Sequence, residues 1–119
     1  MILVDTSIWV AHFRSGDAEL ARGLDAGEVL SHRFVIGELA MGNLRDRATI
    51  LGALRRLPTA TAATDDEVLA FVERHSLHGL GVGYVDAHLL ASVRLTRDAR
   101  LWTADRRLQE IAARMGVGR

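Results

Sequence analysis

The chain has 119 residues and a mass of 13.0 kDa, enough for one domain over 1–119 that buries roughly two-thirds of its unfolded surface, and too few for a second core. Fifteen basic residues, all Arg, balance fifteen acidic ones, so no overall attraction draws in a polyanion and any nucleic-acid contact must be local. Zero Cys excludes disulfide frameworks, thiolate zinc sites and Cys nucleophiles.

Ile2 to Val4 reads as a buried strand closed by Asp5, followed by a helical run Ile8-Trp9-Val10-Ala11-His12-Phe13 that breaks at Ser15-Gly16. No basic leader or long apolar stretch stands at this end, so neither a signal peptide nor a membrane span is expected, and a cytoplasmic location is. Asp17 is placed to cap a helix to Asp25, and Glu28 to Ser31 reads as a short strand. From Arg33 to Met41 the apolar residues predict a mostly buried helix stopped near Gly42-Asn43. Leu44 to Leu57 then predicts an amphipathic helix with Arg45, Arg47, Arg55 and Arg56 on its polar side, ended by Pro58. Thr59 to Thr64 suits a short strand or loop. Thr64-Asp65-Asp66-Glu67 matches a capping box and opens a helix that runs out between His75 and Gly79. Gly79, Gly81 and Gly83 alternate through an entry loop to the apolar helix Tyr84 to Val93, with Asp86 in its first turn, where the helix dipole favours an anion. Leu101 to Thr103 predicts a strand, and Asp105 heads a helix from Arg106 to Met115. This alternation gives an α/β fold around a mainly parallel sheet.

Four acids stand out against this frame. Asp5 and Asp105 follow strands, Asp86 starts a helix, and Glu38 lies inside an apolar helical run. Capping alone accounts for Asp5, Asp86 and Asp105 one at a time. Glu38, amid Phe34-Val35-Ile36-Gly37 and Leu39-Ala40-Met41, is expected to be a buried carboxylate, which needs a partner or a metal. Ligands bind at the carboxyl edge of an open parallel sheet, and if all four acids meet there a cation is needed to offset their repulsion. Hard oxygen donors suit Mg²⁺, with Mn²⁺ as a second possibility, and such an ion beside a phosphate promotes hydrolysis by an activated water. Thr6, Ser7 and Thr103 lie within two positions of Asp5 or Asp105 and can orient a carboxylate or a water.

The segments Val4-Asp5-Thr6-Ser7, Gly37-Glu38-Leu39, Asp86-Ala87-His88-Leu89-Leu90-Ala91 and Thr103-Ala104-Asp105, in that order, resemble the four acidic motifs of PIN domains. The length and the start at Met1 are similar to the VapC ribonuclease toxins of type II toxin–antitoxin pairs. The resemblance implies a three-layer α/β/α sandwich, Mg²⁺- or Mn²⁺-dependent cleavage of RNA, neutralisation by a VapB-like antitoxin protein, and a homodimer. It carries over Asp5, Glu38, Asp86 and Asp105 as the acidic metal cluster. Asp5 and Asp86 are expected to hold the principal ion, and Glu38 and Asp105 to complete the site directly or through waters. Ser7 and Thr103 carry over as supporting residues. The sequence departs from the pattern at Gly116-Val117-Gly118-Arg119, where many relatives add a final strand, so that sheet edge is expected to be very short or absent.

The alternative from another class is a catalytically silent PIN-like module that acts through partner interaction. A phospho-acceptor or phosphatase fold also places Asp after its first strand, but the chain has no Lys for the former and Ser7 stands where the latter needs a second Asp. His75 and His78 have ligand spacing without the rest of a zinc motif, and Trp9 and Trp102 are expected in the core or an interface.

Overall fold

The computed structural model describes residues 1–119. Its sheet is built on β1 (Ile2–Val4), flanked in parallel by β2 (Val29–Leu30) and β3 (Arg100–Trp102) in the order β2-β1-β3. Register pairs Ile2 with both Val29 and Arg100, Leu3 with Leu30 and Leu101, and Val4 with Trp102. A central parallel strand is covered on both faces, which is why β1 is an unbroken apolar run and Leu3 and Val4 are 0% exposed. Parallel neighbours require long crossovers, and seven helices supply them: α1 (Thr6–Ser15), α2 (Ala18–Asp25), α3 (Arg33–Ala40), α4 (Arg47–Arg56), α5 (Asp65–His75), α6 (Tyr84–Leu95) and α7 (Arg106–Arg114). The result is the expected three-layer α/β/α sandwich. Its main core joins Leu3 and Val4 to Leu20, Val35, Leu89, Leu90 and Leu108, all nearly inaccessible.

The chain leaves β1 for β2 on one side and returns to β3 on the other. The strand order therefore reverses beside β1, which opens a crevice at the carboxyl ends of β1 and β3. Beyond the three strands the sheet continues only as single parallel bridges, Ser31 to Thr59 on one edge and Leu101 to Gly118 on the other. The final strand is thus reduced to one bridge, held by Leu101 N–H to the Val117 carbonyl at 2.8 Å and Arg119 N–H to the Leu101 carbonyl at 3.0 Å.

One helix start and one burial expectation depart from the sequence reading. Helix α4 starts at Arg47 rather than Leu44, because Asp46 adopts a left-handed conformation (φ 49°) that breaks the helix before it. Helix α3 is only half buried: Val35 and Leu39 face the core, whereas Gly37 and Glu38 are exposed and Met41 is 88% exposed. The remaining signals hold, including both hydrogen bonds of the Thr64/Glu67 capping box that opens α5.

Candidate active site

Asp5 is the first residue after β1 and is 7% exposed. Its carboxylate is oriented by three donors: Thr6 N–H on Oδ1 at 2.7 Å, and Ser7 Oγ–H at 3.1 Å and Thr103 Oγ1–H at 2.7 Å on Oδ2. Buried charge is tolerated only when hydrogen-bonded in this way. The same two hydroxyls bind the neighbouring chain. Ser7 Oγ accepts the Ala104 N–H, and Thr103 Oγ1 accepts the Asp105 N–H, each at 3.1 Å. Behind them Gln109 Nε2 donates to the Thr103 carbonyl at 2.7 Å. Gln109 was not legible from the sequence, since an exposed helical Gln has no recognisable spacing to a strand end.

The other three acids approach from three helices. Asp105 caps α7, accepting the Leu108 N–H on Oδ1 at 2.9 Å. Asp86, in the first turn of α6, accepts the Gly83 N–H on Oδ2 at 3.1 Å. Glu38 accepts the Thr6 hydroxyl on Oε1 at 2.6 Å, which ties α3 to the start of α1. The expectation that Glu38 is buried is corrected: it is exposed, because one turn of α3 places Val35 and Leu39 on the core side and leaves Glu38 facing the crevice. Its functional interest lies in its position beside Thr6 and Asp86, not in burial.

The charges of Asp5, Asp105 and Glu38 all act on Asp86 across the crevice. Burial, chiefly, pushes the Asp86 carboxyl above the ordinary carboxylate range; the Gly83 N–H opposes this, and the charges of Asp5, Asp105 and Glu38 add to the rise. Glu38 Oε2, Asp86 Oδ1 and Asp105 Oδ2 carry no protein hydrogen bond, so each side chain keeps an oxygen free for a ligand. No three of the acids stand close enough to cage an ion as they are. The donor set nevertheless fits a hard divalent cation, being all oxygen and mutually repelling, with Asp5 buried, Asp86 half-buried and Glu38 and Asp105 open to the crevice.

A second layer supports α6. His88 is 0% exposed, and its Nε2 lies 3.1 Å from Asp65 Oδ1, which also accepts the Tyr84 hydroxyl at 2.9 Å. The N-terminal turns of α5 and α6 are joined there, one turn from Asp86. Asp65 was legible only as part of a capping box. His75 ends α5 and Ser76 is left-handed (φ 51°), so His78 lies outside the helix and the two imidazoles do not share a helical face. Trp9 is buried and Trp102 half-buried, with the Arg119 guanidinium 3.8 Å over the Trp102 ring. Beside Glu38 runs a groove of about 420 Å³ between α1, α3 and the start of α4, lined by Val10, Phe13, Leu44 and Ile50 and by Arg14 and Arg45.

Comparison with known proteins agrees with this geometry. The PIN domain profile matches residues 2–114. Ribonuclease VapC32 of Mycobacterium tuberculosis is 48% identical over 117 residues, covering 98% of this chain and 94% of the relative, in both strain CDC 1551 and strain H37Rv. A match over nearly the whole chain, with the acids gathered at the sheet edge where such a fold binds its ligands, places this chain in the PIN domain family, among proteins similar to VapC.

Proposed function

We propose that the acidic crevice is the centre of a divalent-cation-dependent endoribonuclease. That the chain is a VapC-like endoribonuclease toxin rests on its family and on its identity to ribonuclease VapC32. The dependence on Mg²⁺ or Mn²⁺ is supported by one observation: Asp5, Asp86, Asp105 and Glu38 face one crevice, where Glu38, Asp86 and Asp105 each keep an oxygen free of protein hydrogen bonds and a bound cation would relieve the repulsion among them. Asp5 and Asp86 are the principal ligands in this reading, and Glu38 and Asp105 complete the site directly or through water. When bound, the cation offsets charge that builds on the phosphoryl oxygens and lowers the pKa of a water.

The chain's own groups do the positioning. Ser7 and Thr103 fix the Asp5 carboxylate, so its free lone pair points in one direction. Thr6 does the same for Glu38. Arg14 and Arg45, free of ion pairs in the adjoining groove, are placed to receive backbone phosphates of the RNA. The same groove, apolar and cationic, suits an acidic and apolar segment of a VapB-like antitoxin, which would block the crevice at Glu38. A homodimer, one domain over 1–119 and a cytoplasmic site of action belong to the same proposal. No helix is long and apolar enough to cross a membrane.

The test is cleavage of single-stranded RNA by the purified chain with and without chelator. Asp5→Asn is expected to lower the rate by about a hundredfold or more while circular dichroism stays native. Chelator should abolish cleavage and Mg²⁺ restore it. Full activity in a folded Asp5→Asn chain would end the assignment.

A further inference from the structure

The crevice accounts for one end of the sheet. At the other end the last turns of α5, α6 and α7 meet, and a cavity of about 350 Å³ opens between them, lined by His75, Ser76, Arg94, Arg114 and Met115. Arg74, the residue before His75, lines an adjoining depression that shares His75 and Arg94 with this cavity. Arg94 lies eight residues beyond Asp86 on α6 and Arg114 nine beyond Asp105 on α7, so the cavity is about 12–14 Å along the helices from the acids.

Two guanidiniums in the cavity and a third beside it call for an explanation. Cations at helix C-termini complement the dipole, and Arg94 does this directly, donating to the Met115 carbonyl at 3.3 Å. Arg74 and Arg114 make no hydrogen bond and no ion pair. Three helix ends contribute about −1.5 charges against three full positive ones, so the cavity keeps a net positive potential. No carboxylate lines it. Glu67, in the adjoining depression, accepts the Thr64 N–H and makes no ion pair with these arginines. His75 reports the same field. Burial first, then Arg94, Arg74 and Arg114, hold its imidazole below the usual range, so it stands neutral in a surrounding of unneutralised positive charge.

We infer that Arg74, Arg94 and Arg114, with His75 and Ser76, form a second anion site at the pole opposite the acids, and that it takes a phosphoryl group. Planar guanidiniums match phosphate oxygens two at a time, and the Ser76 hydroxyl and the imidazole add neutral donors. One phosphoryl chemistry has two sources, the backbone of an RNA strand also held at the crevice, or a free phosphate-bearing ligand.

Titration of the full chain with inorganic phosphate, followed at the His75 imidazole by NMR with His78 as an internal control, tests the site without requiring nuclease activity. A saturable shift at His75 is expected. Arg74→Gln/Arg114→Gln should weaken it about tenfold or more, since two charge-assisted contacts are lost. Arg94 is kept because it secures the Met115 carbonyl. No saturable shift, or unchanged affinity in the double variant, overturns the site. Two RNAs identify the source, one too short to reach both poles and one long enough. A rise in KM of about fivefold or more for the long RNA alone, at constant kcat, assigns the site to the RNA backbone. Unchanged KM for both RNAs, with phosphate affinity lost, assigns it to a free ligand. A chain that binds phosphate here and cleaves no RNA would remove the nuclease reading and keep this site.

Discussion

Asp86 sits half-buried at the start of α6 with Asp5, Asp105 and Glu38 around it, and burial, more than those three charges, raises its carboxyl above the ordinary range. A raised folded pKa means stability that is complete below the unfolded value and lost as pH rises through the folded one, so near neutrality ionised Asp86 weighs against the fold. Asn in its place loses the charge and still accepts the Gly83 N–H. Asp86→Asn is therefore expected to melt at or above the wild-type temperature in metal-free buffer while cleavage falls about a hundredfold or more. A markedly lower melting temperature would show that the carboxylate holds the turn together. His32 has the opposite sense. Burial, then His88 and Arg33, lower its pKa to about 4, and its Nδ1 accepts the Phe34 N–H as the cap of α3. Because the unfolded imidazole binds its proton near 6.5, the fold keeps this contribution above that value and loses it as pH falls toward 4. Urea denaturation should lose up to about 3 kcal/mol across that window, and His32→Gln should flatten the curve.

At the level of elements, caps and ladders determine what the sequence could disclose. Thr64 and Glu67 satisfy each other's backbone N–H, with Thr64 Oγ1 accepting from Glu67 at 3.1 Å and Glu67 Oε1 accepting from Thr64 at 2.9 Å. Thr64→Ala should cost about 1 kcal/mol in chemical denaturation. It should also loosen Asp65, which anchors His88 and Tyr84, so a fall in kcat larger than the stability loss explains is expected as well. Strands β1 and β3, the start of α6 and the cap of α7 were legible because apolar runs, glycine breaks and capping residues act locally. Glu38 shows where local reasoning misleads. Its apolar neighbours suggested burial, but the phase of a helix of eight residues is set by what packs against it, and α3 turned Glu38 outward to Thr6. The left-handed Asp46 that delays α4 and the Gln109 contact to β3 depend on tertiary placement in the same way. Four acids could be named from sequence; their donors beyond Thr6, Ser7 and Thr103 could not.

For the whole molecule, a net charge of zero means that RNA affinity must come from clusters. Arg14 and Arg45 in the groove beside Glu38 are the cluster nearest the proposed reaction. Replacing either with Gln should weaken RNA binding about uniformly across sequences and reduce the slope of log affinity against log salt by about 0.7 for a single strand. An unchanged slope would place the RNA elsewhere. The sheet has a further consequence. Both of its outer edges taper to a single bridge, at Thr59 beside Pro58 and at Gly118, where a Cβ would come within 3.2 Å of the Ala113 nitrogen. A long bare edge is a template on which a second polypeptide can add as a strand; here each ladder ends after one pairing, with proline on one side and a tight helix contact on the other. The fold is thereby guarded against edge-to-edge aggregation while it stands as a single chain.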